Sequence, residues 1–170
     1  MKTGVYDFER VEMVVGDNNF KVDGFVETLE DLTDVDLIFT SDNANLESVL
    51  RMLPEKYLND FKHFRSKGKF HFEASINGQL GPKDFPAIDV SFGLKNGSIT
   101  SPRLEHSLKE VTFTALYSNG DDHNNRTSTL EIPSFKGYFN RELIELSLKT
   151  NNFDDPRLDF QLDGVVPLAS

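Results

Sequence analysis

From Lys69 onward the apolar residues of this chain fall at every second position, in one segment after another. In an extended chain Phe70, Phe72, Ala74 and Ile76 point one way, and Lys69, His71, Glu73 and Ser75 point the other. The pattern returns in Ile88, Val90, Phe92 and Leu94, in Val111, Phe113 and Ala115, and in Leu130 and Ile132. It returns again in Ile144, Leu146 and Leu148 and in Leu158, Phe160 and Leu162. A period of two sustained this long predicts strands with one dry and one wet face. It also predicts antiparallel pairing, because parallel strands between two helix layers read as continuous apolar runs.

Shorter segments before Lys69 continue the theme: Val11, Met13 and Val15, then Phe20 and Val22, then Val35 to Thr40. Asn77-Gly78, Asn96-Gly97 and Asn119-Gly120 each follow an apolar segment. Asn-Gly supplies the positive backbone angles of tight hairpins, so the three pairs predict a meander closed by short turns. One stretch breaks the period. Leu46, Val49, Leu50 and Leu53, then Tyr57, Leu58 and Phe61, recur at three and four residues, the spacing of a helix face. Asp42 or Asn43 can cap its start, and Pro54 suits the first turn of a second short helix. The expected fold is mainly β: a curved antiparallel sheet of about nine or ten strands, open as a groove or closed like a sandwich. A helical insertion is expected at about 42–62. A faint internal echo joins Phe20 to Val26, Phe160 to Val166 and the Ser75-Ile76-Asn77-Gly78 stretch.

The 170 residues suffice for one domain, or for an excised segment of a longer repeating protein. Acidic residues number 28 against 18 basic ones, a net charge of -10. Phosphate contacts need lysine or arginine on a shared face, so the balance argues against a nucleic-acid partner. No apolar run reaches the ~18 residues of a membrane span. Cysteine is absent, which excludes a thiol nucleophile and cysteine metal sites, and the lack of tryptophan disfavours a carbohydrate platform. No nucleophile elbow, phosphate-binding glycine loop or His-Glu-x-x-His motif occurs, so the expectation is a protein that is not an enzyme and uses no cofactor. The histidines at 63, 71, 106 and 123 fall in separate segments. Asp121-Asp122-His123-Asn124-Asn125 gathers oxygen ligands but lacks the alternate spacing and final glutamate of a calcium loop, and reads as a polar hairpin tip, with no metal.

The informative feature is therefore the dry face. Facing sheets would make it a closed core, while a sheet that curls without closing would make it a trough in need of cover.

The order of elements itself is familiar. A short amphipathic stretch ends in Leu53-Pro54, and a glycine-initiated strand runs from Gly68-Lys69-Phe70 to Ile76-Asn77-Gly78. A strand preceded by proline follows at Phe85-Pro86-Ala87-Ile88, then Leu94-Lys95-Asn96-Gly97-Ser98-Ile99 leads to Pro102. Over about Val5 to Leu168 the chain resembles the AsmA-like family of bacterial envelope proteins, in the form seen in Bacteroidetes. The resemblance implies a segment of a protein anchored in the inner membrane by one amino-terminal helix, with a β-rich periplasmic body. It also implies roles in outer-membrane biogenesis and in carrying phospholipids along an apolar groove. The partners it implies are phospholipid acyl chains and either flanking segments of the full-length protein or other envelope proteins; no transmembrane segment lies in this chain. No catalytic residues come with the family. The groove-lining candidates are Phe70, Phe72, Ile76, Val90, Phe92, Leu94, Phe113, Ile132, Leu146, Leu148 and Phe160. Leu46, Val49, Leu50, Leu53, Leu58 and Phe61 are the candidate helical lid. The rival reading is a structural or protein-interaction β-module with a closed core and no lipid.

Overall fold

The computed structural model describes residues 4–15, 18–44, 65–101 and 107–164. Nine strands form a single open antiparallel sheet whose spatial order is the order of the chain. They are β1 (Gly4–Val15), β2 (Asn18–Thr28), β3 (Thr33–Ala44), β4 (Arg65–Leu80), β5 (Ala87–Thr100), β6 (Leu108–Ser118), β7 (Thr129–Phe139), β8 (Glu142–Asn151) and β9 (Arg157–Gly164). The expected meander and antiparallel pairing are both present. Every segment of alternating residues is a strand, and no helix occurs among the described residues. The helix expected at about 42–62 falls almost wholly outside them. Its expected caps, Asp42 and Asn43, are still strand residues at the end of β3.

The registers show why the alternation carries through. One row of paired residues crosses all nine strands: Val11, Val22, Phe39, Ala74, Val90, Tyr117, Leu130, Thr150 and Leu158. A second row crosses β4 to β9 as Phe70, Leu94, Phe113, Phe135, Leu146 and Leu162. Neither row contains a charged residue. A one-residue slip in any strand would turn its apolar set to water, so the dry face fixes the register.

Two of the three expected Asn-Gly hairpins are corrected by the structure. Asn77-Gly78 lies within β4 and Asn96-Gly97 within β5. At the second, Asn96 adopts φ 49° where the β5–β6 register shifts between Leu94 and Gly97, so the pair makes a bulge and not a turn. Similar shifts occur at Arg10 (φ 49°) in β1, Gly68 (φ 131°) in β4 and Glu110 (φ 52°) in β6. Each one bends its strand and adds local twist. In β1 the freed Arg10 amide donates to Asp23 Oδ1 at 2.9 Å, which meets the hydrogen-bonding need the bulge creates.

Asn119-Gly120 does open a connection, but a long one, from Asn119 to Ser128. The Asn119 side chain is buried and works as a piece of strand: Nδ2 donates to the Pro86 carbonyl at 2.9 Å and Oδ1 accepts from Ile88 N at 2.8 Å. The loop is also tied to the β8–β9 connection, because Phe153 N donates to the Asn125 carbonyl at 2.7 Å. Three neighbouring loops at this end of the sheet are thus joined by hydrogen bonds.

The echoed triplets Val22-Asp23-Gly24, Ile76-Asn77-Gly78 and Leu162-Asp163-Gly164 share a backbone feature, a glycine at φ 124°, 124° and 143°. They do not share a level in the sheet. Gly24 pairs with Leu37 and Gly78 with Val35 near one end, whereas Gly164 pairs with Ile144 near the other.

Candidate functional site: the apolar face

All eleven proposed lining residues stand on one face, because the pairings link them strand to strand: Phe72 with Phe92, Ile76 with Ile88, and Ile132 with Leu148 and Phe160. Their environments divide them. Phe70 and Leu94 are 1% exposed and form a core cluster with Val111, so they seal the face and are not available to line it. Phe72, Phe92, Phe113, Ile132, Leu146 and Leu148 are half-buried, and Phe160 is exposed. The six lid candidates lie outside the described residues.

An aromatic seam runs through the half-buried set. Phe70 and Phe92 lie 6.2 Å apart, Phe92 and Phe113 meet edge to face at 6.4 Å, and Phe113 stacks on Phe135 at 5.8 Å. The first two contacts are diagonal across paired strands and the third is directly opposite, which are the reaches an aromatic side chain has on a sheet. Such pairs contribute roughly 0.5–1.5 kcal/mol each beyond area burial. A separate contact joins Phe20 to Phe72 at 5.9 Å with perpendicular rings. Ser41 is paired with Phe72 and donates its hydroxyl to the Asn19 carbonyl at 2.7 Å. A larger residue there would part the two rings.

Phe20 and Phe135 were not among the expected lining residues. Phe20 belongs to a short alternating segment ahead of the regular run. Phe135 is displaced from the period by Pro133-Ser134, where the β7–β8 register shifts between Ile132 and Phe135. Its signal was the phenylalanine itself, three residues after Ile132 instead of two.

The opposite face carries the charged and hydroxyl side chains together with exposed Ile38, Leu116 and Leu143. A hollow of about 320 Å³ between β4 and β7 is framed by Glu73, Asp89, Glu131 and the hydroxyls of Ser75, Ser91, Ser118 and Thr129. Lys149 reaches Glu131 at 3.3 Å. This hollow lies away from the phenylalanine seam, and Val90, Leu116 and Tyr117 complete its lining. His71 also belongs to the wet face, and a side chain at its partner Gly93 would collide with the imidazole.

In the Asp121–Asn125 stretch the oxygens serve the loop. Asn124 Oδ1 accepts from Arg126 N at 2.9 Å and from Thr127 N at 3.2 Å, and the Asn124 carbonyl accepts from Ser128 Oγ at 2.8 Å. His123 Nδ1 bonds to the Phe85 carbonyl. Among the described residues no group of three histidine or carboxylate side chains could hold a metal ion. Comparison with family models, with curated proteins and with solved structures gives no match. No helix among the described residues is long and apolar enough to cross a membrane.

Proposed function

We propose that the chain is a non-enzymatic module whose apolar sheet face seats phospholipid acyl chains. The observation that carries this reading is the nine-strand apolar row, in which Tyr117 and Leu130 stay half-buried and Val11 and Leu158 stay open. An alkyl chain laid along such a face gains roughly 0.8 kcal/mol per buried methylene while its headgroup stays in water. The AsmA-like resemblance supplies the setting: the periplasmic side of the inner membrane, as one segment of a longer groove that takes part in lipid transport and outer-membrane biogenesis.

Native mass spectrometry of the purified chain, gently extracted and compared with a delipidated control, tests the proposal. Bound phospholipid is expected on the wild type and not on Phe72→Glu, which places a charge on the apolar face. Met13→Glu, on the more exposed β1, is expected to weaken retention while leaving the core intact. A protein that stays bare, or a folded Met13→Glu that retains lipid as well as the wild type does, would overturn the reading.

A second reading has its own observation. Phe70, Leu94 and Val111 are 0–1% exposed, so the middle of the face is already closed. A bare, folded wild type would therefore favour a structural or interaction module with no lipid ligand.

A further inference from the structure

We propose that two copies of this chain join through β9, which pairs with itself across a two-fold axis normal to the sheet, in the register that sets Phe160 opposite Phe160. The inference does not rest on lipid binding.

The two edges of the sheet differ. β1 is bulged between Phe8 and Val11, with Arg10 at positive φ, and its polar face carries Asp7, Glu9 and Glu12. A bulge is one of the devices that keep an edge strand from pairing. β9 has neither bulge nor proline, and its register with β8 runs unbroken from Ile144–Gly164 to Asn151–Arg157. Its apolar side chains Leu158, Phe160 and Leu162 are 49–65% exposed. Among the described residues only β8 pairs with β9. Antiparallel pairing across a two-fold axis normal to the sheet keeps both apolar faces on one side, so these residues would meet their own copies.

Charge then selects the partner and the register. The wet face of β9 reads Arg157, Asp159, Gln161 and Asp163. Centred on Phe160, self-pairing opposes Arg157 to Asp163 twice and Asp159 to Gln161 twice. Centring on Asp159 opposes that aspartate to itself, and centring on Gln161 opposes Asp159 to Asp163. Opposite charges stabilise directly facing positions and like charges destabilise them, so of these three registers the first is favoured. The same register completes a row inside each copy. Lys136 pairs with Glu145 in register and by a 2.6 Å contact, and Glu145 pairs in turn with Asp163. Among the described residues the row ends on two adjacent carboxylates at the edge of the sheet. Arg157 faces only the neutral Asn151 on its own side, so in the dimer the Arg157 of the second copy supplies the missing cation.

Sedimentation velocity of the purified chain from micromolar to millimolar concentration tests this. A two-fold interface closes on itself, so dimers are expected without larger species. Asp163→Arg should raise the dimer dissociation constant by roughly tenfold or more, because it sets arginine against arginine at two symmetric positions. It leaves the monomer's own pairing intact, since Glu145 then faces a cation. Adding Arg157→Asp restores complementarity and should restore the dimer. A monomer at every concentration, an open-ended series of oligomers, a dimer indifferent to Asp163→Arg, or a double variant that stays as weak as the single one would each overturn the proposal.

Discussion

Along the row that crosses all nine strands, Val22 and Ala74 are 6% and 8% exposed, whereas Val11 and Leu158 are 41% and 65% exposed. The residues are alike in chemistry and sit on the same face. What differs is their company. A side chain on an inner strand is flanked by neighbours on two strands, and one on β1 or β9 by neighbours on one. Period-two alternation therefore reports which face a residue occupies, while its burial depends on its neighbours: the two outermost residues of the row are exposed, Val22 on β2 is buried, and Val90 on the central β5 is half-buried. The sealed part of the face is the Phe70–Leu94–Val111 cluster, and the most exposed apolar residues of that face lie on β1 and β9.

The largest expected effect tests that difference in burial directly. Phe70→Ala, at the sealed centre, should cost about 3–5 kcal/mol of unfolding free energy, because it removes a large buried ring and leaves a void. Leu158→Ala, on the same face of β9, should stay within about 0.5 kcal/mol. Urea unfolding of both variants measures the difference. Equal losses would mean that the flank belongs to the core no less than the centre does.

Strand identity, strand order and the common face of the lining residues were all legible in the sequence, because a sheet with one dry face writes its register into the hydropathy pattern. Three things were not legible, each for a physical reason. Asn96-Gly97 reads as a hairpin because positive φ is the property both turns and bulges need, and Asn77-Gly78 reads as one although it stays in unbroken register with β3 and has positive φ only at its glycine. Phe135 was missed because the Pro133-Ser134 irregularity shifts the period without changing the face. Alternation gives no measure of depth, so it places the sealed Phe70 and Leu94 with the candidate lining residues. The seal they form with Val111 is a property of the assembled sheet.

Two glycines sharpen the comparison from the backbone side. Gly24 and Gly78 have the same φ of 124°, so alanine strains both by about 1–3 kcal/mol. Their surroundings differ. A Cβ on Gly24 would lie 1.8 Å from the Asp36 carbonyl oxygen of β3, whereas the nearest atom to a Cβ on Gly78 is 3.5 Å away. Gly24→Ala should therefore cost more than Gly78→Ala, although β2 lies one strand from the edge and β4 lies near the centre. Thermal denaturation of the two variants decides it. The opposite order would show that the position of the strand in the sheet outweighs the local crowding of the backbone.

The smallest effect is expected on the polar face, where exposure has the opposite meaning. The hydrogen bond from Lys136 to Glu145, together with the carboxylate's charge, raises the ammonium pKa above its ordinary value of 10.5. A pKa raised by folding stabilises the native state in full below the unfolded value, and that stabilisation is lost as pH rises through the folded one. Lys136→Met should therefore be slightly less stable than the wild type by a constant margin from neutral pH to the ordinary lysine value, and the two should converge above it. The margin is small because the side chains of Lys136 and Glu145 are 60% and 40% exposed and water screens them. Added salt should shrink it further. A margin that widened in alkali would contradict the raised pKa. A margin unmoved by salt would mean that the Lys136–Glu145–Asp163 row is shielded from water, as a second copy seated on β9 would shield its outer end.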